Sequence, residues 1–221
     1  MRKIAPEEKR LMRRSYVKRI MNVVRTKGFL SLTISDMAKL MNMSRASLYN
    51  YFSSKEEILL EVIECYLTYI HEADQVIADE SLSYQIRLQK VYEQTVLSAL
   101  YASDIFMNDL QVGCPSLYAK KMDARKQRLD TVHSFYSQGM AAGLFNQLNP
   151  KVLIIQDEAA LKVLTNSSFL LGEGLSLKQV LYDYYEAKKV QILKPEAISS
   201  EVDEHIHEVI ERILRKLSST F

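Results

Sequence analysis

The sequence contains no tryptophan and few cysteines, prolines and glycines: two, four and six, respectively, in 221 residues. No apolar run approaches the ~20 residues that a membrane-spanning helix needs, and the basic N-terminus lacks the apolar h-region of a secretory signal. Cys65 and Cys114 show no spacing typical of a metal or disulfide pair, which predicts two reduced thiols. These absences favour a cytoplasmic protein without a membrane partner, and we expect no metal and no cofactor.

Helix-breaking residues are rare over most of the chain. There is no proline between Pro6 and Pro115, and no segment alternates as a strand does. We therefore predict an all-α fold. Apart from two short helices treated below, the predicted helices cover residues 7–27, a run of about 25 residues from Lys55, and residues 82–102, 105–111, 116–142, 152–171, 177–190 and 201–217.

The net charge of +2 hides an uneven distribution along the chain. Residues 1–55 contain 13 Lys and Arg against three Asp and Glu, whereas residues 56–221 contain 16 against 24, so the two parts carry +10 and −8. A charged run is most often only a solvated surface, but this excess of positive charge is what neutralisation of DNA phosphates requires. Five basic residues occupy the polar face of the first helix: Arg10, Arg13, Arg14, Lys18 and Arg19.

Two short helices joined by a tight turn are predicted between residues 33 and 52. Thr33 stands at an N-cap position. Asn42 tolerates the left-handed backbone that a sharp reversal needs, and Ser44 then caps the second helix. One face of the first helix is apolar, with residues spaced at i, i+3, i+4 and i+7: Ile34, Met37, Ala38 and Met41. This arrangement is typical of a helix-turn-helix.

The second short helix has a buried and an outward side. Leu48 and Phe52, four residues apart, face the core. The residues near its N-terminus project outward, where a recognition helix meets the edges of bases. The candidate DNA-reading residues are therefore Ser44, Arg45, Ala46, Ser47, Tyr49 and Asn50.

In this stretch the sequence resembles the TetR family of bacterial transcriptional regulators. The residues that match the family signature, in order, are Thr33, Ala38, Ser44, Leu48, Tyr49, Tyr51, Phe52 and Lys55. Asn42 stands where the family usually has Gly, but Asn also accepts a positive φ, so the turn is still expected. The signature covers about the first quarter of the chain.

The resemblance implies an all-α homodimer with two domains in each chain. Residues 1–54 would form a three-helix DNA-binding domain and residues 55–221 a helical domain for ligand binding and dimerisation. It also implies that Thr33, Tyr49, Tyr51 and Lys55 hold phosphates of double-stranded operator DNA, with packing in the small core as the alternative for Tyr51.

One helical face in the region matching the family's four-helix dimer interface carries small and apolar side chains. These are Ala160, Leu164, Ser167, Ser168 and Leu171, which would let another helix approach closely. Ordinary packing within the chain is an equal alternative for any one of them.

A pocket for a small-molecule effector would lie among the helices of residues 58–142. Large adaptable side chains there are the candidates, although residues at helical spacing more often form core than pocket. The candidates are Tyr66, Tyr69, Tyr92, Tyr101, Phe106, Met107, Tyr118, Met122, His133 and Tyr136. The ligand would be apolar or aromatic, or cationic in view of the acidic second part.

Other motifs carry less weight. Cys114-Pro115 is too short to indicate a haem-sensing site and fits a loop before a helix. His205 and His207 do not share a helical face, which favours a solvated surface over a metal site. No ordering of nucleophile, base and acid sits in a context that would position it, so we expect no enzyme.

These observations predict a TetR-like transcriptional repressor that a small apolar or aromatic ligand releases from its operator. The alternative is a ligand-independent DNA-binding structural or division-associated protein on the same fold, which a filled core in the second domain would favour.

Overall fold

The computed structural model describes residues 5–101 and 103–218, and this part of the chain is helical, as predicted. Its α-helices are α1 Pro6–Lys27, α2 Ile34–Leu40, α3 Arg45–Tyr49, α4 Lys55–Ala78, α5 Tyr84–Tyr101, α6 Asp104–Gly113, α7 Pro115–Ala141, α8 Pro150–Leu164, α9 Ser167–Gly172, α10 Leu177–Ile192, α11 Ser200–Glu204 and α12 Ile206–Ser218. A 3₁₀ turn covers Pro195–Ala197. Within the described residues, strand-type pairing is limited to an isolated bridge between Phe145 and Leu193.

Two long predicted helices are each divided in two. The prediction of one helix over residues 152–171 was wrong, because α8 ends before Thr165 and the Asn166 side chain accepts from the backbone N–H of Phe169 to cap α9. The helix predicted over residues 201–217 also breaks, at His205. There the backbone makes two consecutive i to i−3 hydrogen bonds, from His205 to Val202 and from Glu208 to His205. Periodicity alone misses both breaks, since the apolar spacing continues through them.

The described residues form two compact units. Unit 1 comprises residues 5–69, 103–124 and 218, and unit 2 comprises residues 70–101 and 125–217. Helices α4 and α7 each contribute residues to both units. The functional boundary between residues 54 and 55 stays a prediction.

Each unit has its own apolar core. In unit 1, residues from α1 to α4 pack with Phe106, Leu110 and Leu117. In unit 2, an aromatic cluster of Phe135, Tyr136 and Phe145 lies at the centre of a second core, with ring centres 5.3 to 6.4 Å apart. Such edge-to-face and tilted ring pairs add to the stabilisation that burial provides.

Over residues 5–101 and 103–218, none of the helices combines the length and the apolar character needed to cross a membrane.

Candidate nucleic-acid interface and effector cavity

The helix-turn-helix is fixed at both of its N-caps. The Thr33 hydroxyl accepts from the backbone N–H of Asp36, and the Asp36 carboxylate accepts from the backbone N–H of Thr33 at 3.0 Å, which completes a capping box. The Thr33 hydroxyl also donates to that carboxylate, and these bonds lower the pKa of Asp36. Asn42 adopts φ 58°, as the turn requires, and the Ser44 hydroxyl accepts from the N–H of Ser47 at 3.0 Å. The predicted caps and turn are confirmed.

The outward side of α3 is exposed. Arg45, Ala46, Tyr49 and Asn50 are all solvent-accessible, whereas Leu48 is fully buried beneath them. An Arg45 N–H lies 3.3 Å from the Tyr49 hydroxyl, and its guanidinium carbon lies 5.7 Å from the centre of the Tyr49 ring. Ser47 is half-buried and its hydroxyl shares a 2.9 Å hydrogen bond with that of Ser44. The helix thus presents a guanidinium, a phenol and an amide from one short surface.

Two of the expected phosphate-binding residues have partners within the chain. The Tyr51 ring packs edge-on against Tyr16, with ring centres 5.0 Å apart, and its hydroxyl donates to the sulfur of Met12. Burial raises the pKa of Tyr51. The Lys55 ammonium donates to the backbone carbonyls of Leu30 and Leu32, and its partial burial lowers its pKa. Thr33 and Tyr49, by contrast, are exposed.

The basic residues of α1 divide into two groups. Arg13 forms ion pairs with Glu57 and Glu61 of α4 and lies over the ring of Phe52 at 4.8 Å. Arg14 and Arg19 also bond within the chain, Arg14 with Thr68 and Glu61 and Arg19 with the Met41 carbonyl at 2.7 Å. Arg10 and Lys18 are exposed, and Arg10 has only a long surface pair with Glu7 at 4.0 Å, so we expect these two to remain available to a polyanion.

A buried carboxylate that sequence reasoning missed fixes the loop before α2. Asp109 of α6 accepts from the backbone N–H groups of Phe29 at 2.6 Å and Leu30 at 2.9 Å. Gly28 adopts φ 75°, and a Cβ there would lie 2.4 Å from an oxygen of Asp109. Because these contacts join residues about 80 positions apart, no local pattern reveals them. They hold the segment that leads to the Thr33 cap.

The ten expected effector residues do not lie around one cavity. In unit 1, Phe106 is core, Met107 and Tyr118 pack against that core, and the Tyr66 ring lies 4.1 Å from the Lys121 ammonium. In unit 2, the Tyr101 hydroxyl donates to the Lys216 carbonyl. The remaining residues away from the cavity, all half-buried, are Tyr69, Met122 and His133.

Tyr92 and Tyr136 do line a cavity in unit 2, together with Thr95, Leu161 and Tyr185. The cavity has a volume of about 10 Å³, which is room for roughly one water molecule. The Tyr92 hydroxyl donates to the Leu181 carbonyl, and burial raises the pKa of Tyr185 to about 12. Phenols in such a place are neutral donors at physiological pH.

The same cavity has a charged wall that sequence reasoning did not single out. The Lys188 ammonium lies 2.9 Å from the Asp157 carboxylate, and both residues are buried. The Tyr184 hydroxyl donates to Asp157 at 2.8 Å. Thr95, which also lines the cavity, accepts through its hydroxyl from the buried Arg128 at 2.6 Å. In the sequence these residues belong to ordinary mixed helices, so only the fold brings them together.

Comparison with known proteins agrees with this geometry. Residues 18–62 match the family model described as bacterial regulatory proteins of the tetR family. None of the curated protein sequences matches the chain.

Solved structures share the fold at low identity. The ketosteroid transcriptional regulator KstR2 of Mycobacterium tuberculosis is 20% identical, covers 82% of this chain and 95% of its own, and superposes with a TM-score of 0.64. A TetR transcriptional regulator from Chloroflexus aurantiacus is 13% identical over 85% of this chain and 98% of its own, with a TM-score of 0.61. AibR in complex with isovaleryl coenzyme A and operator DNA is 14% identical over 78% and 95%, with a TM-score of 0.55.

The family-model match falls on the capped helix-turn-helix, and the described helices beyond it follow the fold of these structures. Residues 18–62 therefore match the DNA-binding region of the TetR family, a helix-turn-helix near the N-terminus, and the chain shares the fold of solved regulators of this type.

Proposed function

We propose that the protein is a dimeric repressor that binds operator DNA through α3 and is released by a small molecule. The observation that carries the proposal is the exposed surface of α3, where Arg45, Tyr49 and Asn50 point away from the buried Leu48. Arg reads guanine and Asn reads adenine through paired hydrogen bonds in the major groove. Because bacterial operators lie in the cytoplasm, we expect the protein to act there.

The N-terminal charge supports a role for the same region in phosphate binding. We propose that the exposed Arg10 and Lys18 and the N-cap hydroxyl of Thr33 contact the DNA backbone, whereas Arg13 and Lys55 bond within the chain and hold the helix-turn-helix together. Phosphate contacts fix the register on DNA, and base contacts supply the specificity. Because its ammonium donates to the carbonyls of Leu30 and Leu32, we assign Lys55 mainly to holding the loop between α1 and α2 in place.

A second copy of the chain is the partner we propose for unit 2. Large apolar side chains are exposed along the segment from α8 to α10, which is an unusual concentration for a monomer. They are Val152, Ile155, Val163, Phe169, Leu171, Leu175 and Val190. Of the small-residue face expected from the sequence, Ser167, Ser168 and Leu171 are exposed, while Ala160 and Leu164 are half-buried.

Sedimentation of a charge-introducing variant tests the dimer. Ile155 on α8 and Val112 on α6 are 64% and 66% exposed, so both accept a glutamate without a core change. We expect Ile155→Glu to yield monomers and Val112→Glu to sediment as the wild type does. Equal behaviour of the two variants would contradict the proposed face.

The cavity of unit 2 bears on the effector. The cavity has a buried polar lining formed by Asp157, Lys188, Tyr92 and Tyr136. Burial of polar and charged groups costs free energy, so a core that served stability alone would favour apolar side chains here. AibR, solved with isovaleryl coenzyme A and operator DNA, has a similar fold. We propose that an apolar or aromatic effector opens this cavity. The effector would then favour a dimer whose two α3 helices no longer match the ~34 to 36 Å between operator half-sites.

The small volume of the cavity favours the second candidate function. At about 10 Å³, this part of the core is nearly filled, and a filled core is what a ligand-independent DNA-binding protein would have. The two candidates differ in whether any compound changes DNA binding.

Footprinting distinguishes them. The purified protein is incubated with the DNA immediately upstream of its own coding sequence, with and without a panel of amphipathic compounds. Protection of a two-fold symmetric site that one compound abolishes supports the inducible repressor. Protection that no compound alters supports the ligand-independent protein. An Arg45→Ala control shows whether protection depends on α3.

A further inference from the structure

The small cavity of unit 2 is lined by a buried ammonium that has more donors than acceptors. Lys188 is 4% exposed, and its Nζ lies 2.9 Å from a carboxylate oxygen of Asp157. Within residues 5–101 and 103–218, this ion pair is the one polar contact of the ammonium. An ammonium group has three N–H donors, and one carboxylate accepts from two of them at most. At least one N–H of Lys188 is therefore left without an acceptor in the described part of the chain.

Hydroxyl groups of the cavity wall do not supply this acceptor. The Tyr92 hydroxyl donates to the Leu181 carbonyl. The Thr95 hydroxyl donates to the Val91 carbonyl at 2.7 Å and accepts from Arg128. A buried donor without an acceptor is destabilising, and such groups are rare in folded proteins. We therefore expect the acceptor for this ammonium to come from a molecule outside the chain.

The volume and the charge of the cavity restrict what that molecule is. About 10 Å³ is room for one oxygen-sized group. Among the described residues that line the cavity, the charged ones are Asp157 and Lys188, whose charges cancel. A ligand group with a charge of its own would be buried there without a counter-ion, which is costly. The group that enters the cavity is therefore expected to be neutral.

The aliphatic part of the lining favours an apolar body attached to that group. Its branched side chains are Leu88, Val91, Leu161 and Ile192. We propose that the cavity is a site for a neutral oxygen acceptor, the carbonyl or hydroxyl oxygen of an apolar or aromatic effector, which accepts from Lys188. This effector class rests on the proposed function, because a molecule larger than its oxygen has to open the cavity. A water molecule is the alternative source of that oxygen.

Two probes of nearly the same shape test whether the oxygen matters. Acetophenone has a carbonyl oxygen where α-methylstyrene has a methylene group. The purified full chain is titrated with each probe in a calorimeter, without DNA. We expect acetophenone to bind about tenfold to a hundredfold more tightly, because it accepts a hydrogen bond from a charged donor. Equal affinity would show that water alone supplies the acceptor, and no binding of either probe would show that the cavity does not open. Either result would overturn the proposal.

Two charged probes test whether the ligand is neutral. Sodium benzoate and benzylammonium chloride carry the same ring as acetophenone with a negative and a positive group, respectively. We expect both to bind more weakly than acetophenone, since neither brings a counter-ion into the cavity. Tighter binding of benzoate or of benzylammonium would overturn the assignment of a neutral ligand.

The double variant Asp157→Leu with Lys188→Met locates the oxygen. It removes the donor together with its counter-ion, so neither charge is left buried alone. We expect this variant, once circular dichroism shows that it is folded, to bind acetophenone and α-methylstyrene equally. The matched control is Lys178→Met with Glu211→Leu, a lysine–carboxylate pair of the same unit that is 63% and 50% exposed, and it should keep the preference for acetophenone.

A preference that survives in the Asp157 and Lys188 variant would place the oxygen elsewhere and overturn the proposal. Loss of both probes alike would show that the pair shapes the cavity instead of binding the oxygen, which would also overturn it. Because none of these titrations contains DNA, their failure leaves operator binding by α3 untouched. Acetophenone that binds as expected but does not change the footprint would support the oxygen site and contradict release by this class of effector.

Discussion

Both units contain side-chain ion pairs, such as Arg13 with Glu61 in unit 1 and Lys188 with Asp157 in unit 2, but the charges that fix the loop before α2 bond to the backbone. In unit 1, Asp109 and Lys55 bond to backbone groups of the loop between α1 and α2, the first to N–H groups and the second to carbonyls. In unit 2, the carboxylates of Asp157 and Glu93 face side-chain cations. Bonds to the backbone fix one shape, which suits the proposed DNA-reading surface. Pairs of side chains can exchange partners, which suits the proposed effector site.

The largest expected effect comes from breaking the ion pair of unit 2. Asp157→Leu leaves the Lys188 ammonium buried beside an apolar side chain, which we expect to cost about 3 to 5 kcal/mol. The double variant Asp157→Leu with Lys188→Met replaces both charges and should recover most of this loss, because only the Tyr184 hydroxyl is then left without its acceptor. Urea unfolding of the three proteins measures the difference.

A stable double variant would show that the pair is not kept for stability. The pair would then be a candidate for ligand recognition, and the response of the double variant to effectors could be compared with that of the wild type. A double variant as unstable as the single one would show instead that the pair stabilises the core of unit 2.

Two glycines with nearly the same φ provide a smaller contrast. Gly28 in unit 1 has φ 75° with ψ −175°, a region that is almost restricted to glycine, and Gly143 in unit 2 has φ 74°, so alanine costs about 1 to 3 kcal/mol in backbone conformation at either position. A Cβ at Gly143 would have no atom within 4 Å, whereas one at Gly28 would clash with Asp109. We expect Gly28→Ala to be more destabilising than Gly143→Ala by about 1 to 3 kcal/mol, since it also displaces a buried hydrogen-bonding group.

The free energy of unfolding in urea measures both changes, and hydrogen exchange at Phe29 and Leu30 shows whether the Asp109 bonds have been lost. If the two alanine variants were equally stable, the contact between Asp109 and the loop would have no energetic importance.

Local chemistry made part of this molecule predictable. The caps at Thr33 and Ser44 and the positive φ of Asn42 follow from what those side chains do to the backbone next to them. The outward side of α3 follows from the burial of Leu48. These features depend on residues only a few positions apart, so they can be predicted from one sequence without knowledge of the fold.

The remainder depends on long-range contacts. The bond from Asp109 to Phe29, the three cations around Glu93 and the pair of Asp157 with Lys188 join residues that are distant in sequence or look like ordinary surface residues of a helix. The carbonyl groups that Lys55 contacts belong to Leu30 and Leu32, more than 20 residues away in sequence, so no local pattern indicates these bonds.

The smallest expected effect separates base reading from phosphate binding within unit 1. Arg45 is exposed on α3, while Arg10 is exposed near the start of α1, where we propose a contact with the DNA backbone. Arg45→Ala should cost about 1 to 3 kcal/mol on the preferred operator and relax specificity at one base pair, with little change on unrelated DNA. Arg10→Ala should weaken binding to all sequences alike and reduce the dependence of log K on log salt by about one. Titrations of operator and random DNA at several salt concentrations measure both quantities, and an Arg45→Ala variant with unchanged preference for the operator would show that α3 does not read bases through this residue.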